Sequence, residues 1–322
     1  MNQPARPKMF TEACETKKGL NWIVEILVFF AVFSAATMVE SIPVTVATLV
    51  HIFTNSTFLA DVQAALANLD TAAFNDAVYA VIDTIPSWLN LLSLYCTVLL
   101  TGMVLAFCRV LQKRKPASLG MRKGNIAKEY ILGGIFGIVM LLVAVAFGLA
   151  SHSMTISLSE NFSWIIILYF FGYVLQGMSE EILCRGYFMV SYSRRHNMAI
   201  AVILNSLIFG LLHFSNPGFD LHAFINLTLS GVVFSLYVIK RGNIWGACAM
   251  HSMWNFVQGN ILGFNVSGTT LEPSVFRVTQ VSGHSLFNGG TFGIEGGLCD
   301  TFVEILAIIA ILAFIPKKED EY

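Results

Sequence analysis

The sequence predicts an all-α fold: a polytopic integral membrane bundle of about eight transmembrane helices with both termini cytoplasmic. Three observations predict it. The 322 residues are 56% hydrophobic and only 12% charged, against roughly 25% charged residues in soluble proteins. The charge deficit is concentrated in apolar runs at 22–39, 88–108, 130–150, 162–178, 198–212, 223–239, 244–264 and 302–315. Most approach the ~20 residues a helix needs to cross the hydrocarbon core, where only helices and closed barrels satisfy the backbone. Finally, an even number of crossings sorts the basic residues onto one side. The segments 1–21, 109–129, 191–197, 240–243 and 316–322 hold 17 of the 19 Lys and Arg, as cytoplasmic loops do.

The first run follows a polar stretch too long for a secretory signal and exceeds the usual apolar core of one, so it reads as an uncleaved helix. The runs at 198–212 and 302–315 are short, but 196–219 carries no Lys, Arg, Asp or Glu and the charge alternation needs both. Trp22, Trp88, Trp164 and Trp245 open apolar runs, where an interfacial aromatic belt belongs. Between the first two runs, Leu59, Val62, Leu66, Leu69 and Ala73 recur at helical spacing, predicting one amphipathic outer helix over 58–82. The second outer segment, 265–300, ends in FNGGTFGIEGGL and reads as an irregular loop. The basic stretch 112–125 is the linker. It separates a two-helix extension, 1–129, from a membrane-embedded core, 130–322. The six cysteines have no paired spacing, so neither a disulfide framework nor a thiolate metal cluster is indicated. No basic patch with interleaved aromatics points to nucleic acid, and the partner expected from composition is the lipid bilayer.

Ionisable groups within such runs cost roughly 2.5–3.5 kcal/mol each on insertion scales and face the bundle interior. Residues 177–188, GMSEEILCRGYF, bring Glu180, Glu181 and Arg185 into the fourth helix. Glu181 and Arg185, four apart, share a face; Glu180 is rotated by roughly 100° and is free to face something else. His213 ends the fifth helix, four residues after Phe209, and His251 and Asn255 lie four apart in the seventh. At ~1.5 Å per residue, Glu180, His213, His251 and Asn255 lie about 10–24 Å from the inner boundary, so one intramembrane constellation is possible. A buried carboxylate beside an imidazole can take a proton from water, and a second imidazole and an amide can donate to an oxyanion. Alternatively Glu180, His213 and His251 fill three positions of a zinc ion. The residues leave one zinc ion or no metal equally open. Glu25 and Glu304, read as first-turn carboxylates stabilised by the helix dipole, receive no chemistry, and Phe209 is pocket wall.

These residues carry a resemblance. EEILCR (180–185), FGLLH (209–213) and HSMWN (251–255) resemble, in order, the EExxxR, FxxxH and HxxxN motifs of the CPBP intramembrane proteases, which include the CAAX prenyl endopeptidases and the bacterial Abi proteins. The likeness spans roughly 160–315. It implies that Glu180 and His213 activate a water, that His251 and Asn255 stabilise the oxyanion or join a metal, and that Glu181, Arg185 and Phe209 support the site. The expected protein is an endopeptidase in the cell membrane. A non-catalytic immunity or scaffold protein on the same fold is the first alternative. A transporter, whose paired broken-helix halves are not apparent here, is the second.

Overall fold

The computed structural model describes residues 6–16, 19–84, 86–270 and 272–317. Every one of the eight apolar runs is helical. A short α1 (Lys8–Thr16) precedes α2 (Trp22–Thr54), capped by Asn21, whose side chain accepts from the Ile23 amide at 3.0 Å. The expected end of this helix at 39 is overturned, because Glu40 and Pro43 are both accommodated and apolar residues resume beyond them. At ~1.5 Å per residue, 33 residues exceed the ~30 Å hydrocarbon core.

The single outer helix expected over 58–82 is two, α3 (Ser56–Ala67) and α4 (Thr71–Asp83). The sequence Asn68-Leu69-Asp70 makes the break. Leu69 takes φ 52° and is 89% exposed rather than on the packed face, and Asp70 caps the second helix through the Ala72 and Ala73 amides, both at 3.0 Å. Asx side chains compete with helical hydrogen bonds in this way.

Helix α5 (Trp88–Val110) leads into the basic segment 112–125, which is packed rather than open. The buried guanidinium of Arg114 donates to the Ser118 and Gly186 carbonyls at 2.7 and 3.0 Å and to the Ser191 hydroxyl at 2.9 Å. Burial lowers its pKa to about 10, so it remains charged.

Next come α6 (Ile126–Ala150), α7 (Ile166–Glu181), a π-helical stretch Ile182–Met189, and a final turn α8 (Val190–Ser193) continuous with it. Then follow α9 (Met198–Leu212), α10 (Leu221–Arg241), α11 (Trp245–Phe256) with a π-helical end Val257–Ile261, α12 (Ser285–Asn288) and α13 (Leu298–Phe314). Among the described residues, five segments are long and apolar enough to cross a membrane: α2, α5, α6, Ile166–Ser193 and α10. The chain is thus a multi-pass membrane protein. The terminal residues 1–5 and 318–322 lie outside the described residues, and the expected location of the termini falls there.

Two short strands depart from the all-helical expectation. β1 (Met154–Leu158) pairs antiparallel with β2 (Phe276–Gln280), Ile156 opposite Val278. The partners are far apart in sequence and each is only 5 residues long, which is why 265–300 reads as irregular from the sequence.

The packing that places the later site is between α6 and α11. A Cβ on Gly133 would lie 2.0 Å from the Gly246 carbonyl oxygen, and one on Gly137 would lie 2.4 Å from that of Met250. The spacing is the small-xxx-small pattern that lets membrane helices approach closely. Gly137 thus fixes the backbone one residue before His251. In an open helix interior Gly→Ala gains ~1 kcal/mol. Gly137→Ala is instead expected to destabilise by about 1–3 kcal/mol, as overpacking does, measured by thermal unfolding in detergent; an unchanged or raised midpoint would contradict this packing.

Candidate functional site

The doublet Glu180-Glu181 closes the α-helical part of α7, and the helix widens into a π-helix from Ile182. Such wide turns are frequent at functional sites. The two carboxylates diverge as their ~100° separation requires: the Glu181 side chain is 0% exposed and that of Glu180 is 27%.

Glu181 faces inward. Its Oε1 accepts from Arg185 Nη1 at 2.9 Å and from His251 Nδ1 at 3.0 Å. Arg185 is fully buried, and its Nε and Nη2 have no hydrogen-bond acceptor. Instead its guanidinium lies over the rings of Phe209 and Phe234, 4.3 and 5.2 Å from their centroids, an arrangement favoured for a desolvated cation. Phe234 in turn stacks on His251, with centroids 5.2 Å apart and planes 12° apart, and Phe209 meets the same imidazole edge-on at 5.9 Å. Glu181, Phe234 and Phe209 therefore hold His251 from three sides, and Arg185 packs against all three of them.

Glu180 faces outward into a cavity of about 210 Å³. Its Oε2 lies 3.8 Å from His251 Nε2. Its Oε1 accepts a short hydrogen bond from Gln176 Nε2, and Gln176 Oε1 accepts from Asn255 Nδ2 at 3.0 Å. His213 caps the C-terminus of α9, and its Nδ1 is 2.9 Å from the Phe209 carbonyl. A carbonyl only accepts, so Nδ1 carries the proton and the lone pair of a neutral ring is on Nε2. Glu180, His213, His251, Asn255 and Phe209 all line this cavity, whereas Glu181 and Arg185 lie behind it. A second cavity of about 240 Å³ shares Glu180, His213 and Asn216 with the first and is closed on its other side by Thr37 and Glu40 of α2.

Several lining residues escaped the sequence reading. Gln176 is four residues before Glu180 and so on the same helical face; as a polar residue in an otherwise uncharged run it carried a usable signal. Glu304 is not a first-turn interfacial carboxylate. Helix α13 begins at Leu298, so Glu304 falls in its second turn, is buried, and lines the cavity. Glu295 reaches the same wall from the glycine-rich loop. Its Oε2 accepts from the Ser267 amide and hydroxyl at 2.7 and 2.9 Å. Burial raises its carboxyl above the ordinary carboxylate range, against the opposing pull of Ser267 and, more weakly, His213.

The zinc reading can be tested against this geometry. Among the described residues, no three His, Cys, Asp or Glu side chains are grouped to hold a metal ion. His251 engages Glu181 and His213 engages a carbonyl, each through Nδ1, which leaves Nε2 as the free nitrogen of both rings, as in metal-ligating histidines whose other N–H is held by a carboxylate or carbonyl.

Residues 162–257 match the family described as type II CAAX prenyl endopeptidase, Rce1-like. The matched stretch contains all three motifs. By that segment the chain is similar to this family. Helices α2, α5, α6 and α13 stand outside the match. No curated protein and no solved structure matches the chain.

Removing one partner of a buried ion pair leaves an uncompensated charge. Arg185→Met is expected to cost about 3–5 kcal/mol, read as a lowered unfolding midpoint of the purified protein, and unaltered stability would show that the pair does not hold the site together.

Proposed function

We propose that the chain is an intramembrane endopeptidase of the cell membrane that hydrolyses a peptide bond in a membrane-associated protein or peptide, using water activated by Glu180 and His213. The observation that carries this reading is that the motif-bearing side chains of three separate helices line a single cavity, in a segment with the likeness of CAAX prenyl endopeptidases.

The chemistry follows from the proton inventory. A water between Glu180 and the unprotonated Nε2 of His213 loses a proton to this pair as its oxygen attacks the scissile carbonyl. The carbonyl oxygen becomes an oxyanion and needs donors. Asn255 gives one N–H to Gln176 and, with two on its amide, retains another for the oxyanion. His251 has already donated Nδ1–H to Glu181, so it donates through Nε2 only as the doubly protonated ring, which would sit between two carboxylates. Collapse of the tetrahedral intermediate breaks the C–N bond, and the proton held by the Glu180–His213 pair passes to the leaving amine. Gln176 acts as a positioning residue that holds Glu180 and Asn255 in register. Donors of this kind are worth about 100- to 1000-fold when fixed in a water-poor site.

The decisive test is peptide release by the purified protein in lipid nanodiscs. Glu180→Gln is expected to abolish turnover, and processing at the wild-type rate would overturn the assignment. His251→Ala is expected to lose at least ~100-fold in turnover; an unchanged rate would remove His251 from the mechanism. On this metal-free route, pre-treatment with 1,10-phenanthroline is expected to leave the rate unaltered. A chelator-sensitive rate restored by added zinc would contradict the metal-free route.

A further inference from the structure

The cavity is acidic in a way the proposed hydrolysis does not use. Among the described residues, three carboxyl groups line it, Glu180, Glu295 and Glu304, and no Lys or Arg does. Arg185 is taken up by Glu181 behind the wall. Glu304 is 2% exposed; its Oε1 accepts from the Ser230 hydroxyl at 2.6 Å and its Oε2 has no hydrogen-bond partner. A buried polar atom without a partner costs about 1–3 kcal/mol, and more when it is charged. A wall that retains such an atom beside open volume is incomplete until a donor enters.

We propose that Glu304, with Glu295, forms a subsite for the cationic side chain of a substrate, a guanidinium or primary ammonium close to the scissile bond. The donor chemistry selects this class. The carboxylates come from different elements, the 290s loop and α13, and among the described residues they do not converge as a metal site. A guanidinium carries five N–H donors in a planar fork and an ammonium carries three, so either can span acceptors too dispersed for a single ion. Additional acceptors face the same volume, among them the Ser267 and Ser230 hydroxyls and the Asn216 amide. An acidic cleft with low-dielectric walls concentrates cations, and a positive side chain here would supply the missing partner of Glu304 Oε2. The inference deepens the proposed function and rests on it for the word substrate, whereas the binding site itself does not depend on catalysis.

Two readouts keep these apart. The first is calorimetric titration of the full chain in nanodiscs with n-butylguanidinium and with its neutral isostere n-butylurea. The cation is expected to bind at least about tenfold more tightly, as charge-assisted hydrogen bonds exceed neutral ones, and Glu304→Gln is expected to reduce the preference to less than about threefold. Equal affinity of the two probes for the wild type would overturn the subsite, and that comparison stands even if Glu304→Gln does not fold. A full preference retained in both Glu304→Gln and Glu295→Gln would overturn it too. Zinc chloride alone displacing the butylguanidinium would overturn the organic cation in favour of a metal. The second readout is kcat/KM for a peptide pair that differs only by arginine against citrulline beside the cleaved bond. A ratio of at least about ten that collapses in Glu304→Gln is expected, and a ratio near one would contradict the subsite. If neither peptide is cleaved, the protease reading fails and the titration alone judges the cation site.

Discussion

Glu181 and Arg185 are 2.9 Å apart and both completely buried. Taking two ions out of water costs several kcal/mol each, and their attraction offsets this only when the geometry is good and the remaining polar atoms are engaged. Here the engagement is partial: Glu181 Oε1 gains a second donor in His251, Glu181 Oε2 has no hydrogen-bond partner among the described residues, and the guanidinium edges that lack acceptors lie over two aromatic faces. The same four side chains therefore neutralise one another and fix an imidazole. The adjacent Glu180, turned by one residue, is left with a single amide donor and an open volume in front of it. A doublet of identical residues thus divides into a structural carboxylate and an available one because the helix rotates between them.

The site depends on helices outside the family-matched stretch. Glycines of α6 admit the α11 backbone at a distance that no side chain would permit, which sets the depth of His251. The hydroxyl of Ser179, beside the doublet, donates to the Thr97 carbonyl of α5 at 2.9 Å, and Arg114 ties the inner segment to the π-helical turn. The two cavities that meet at Glu180, His213 and Asn216 are closed by α2 on one side and by α13 on the other. The motifs carry the polar side chains that line the cavity, while the shape of the space in front of them is set by elements with no motif.

Legibility in the sequence followed physical distance along the chain. Four-residue spacing placed Glu181 with Arg185 and His213 near Phe209, since helical neighbours need no tertiary information. Each apolar run fell on a helix for the same reason. The losses came where tertiary context decides. Leu69 fits an amphipathic stripe, but the Asn and Asp flanking it offer the backbone a better alternative. Glu40 and Pro43 look like a helix end, yet α2 runs through them. Glu304 reads as an interfacial carboxylate until the start of α13 and the packing of α10 against it put it inside. Strand β2 finds its partner across more than a hundred residues. Gln176 was within reach of the spacing argument, being polar, on the Glu180 face and inside the membrane.

The most direct test of the central claim, that the buried Glu181–Arg185 pair fixes His251 through its Nδ1 proton, is ¹⁵N NMR of histidine-labelled protein in bilayers, with the His251 signals assigned by their loss in His251→Gln. The structure requires a protonated Nδ1 in hydrogen-bond contact with a carboxylate, with that signal perturbed in Glu181→Gln. A neutral ring protonated only on Nε2, or an Nδ1 indifferent to Glu181, would contradict it.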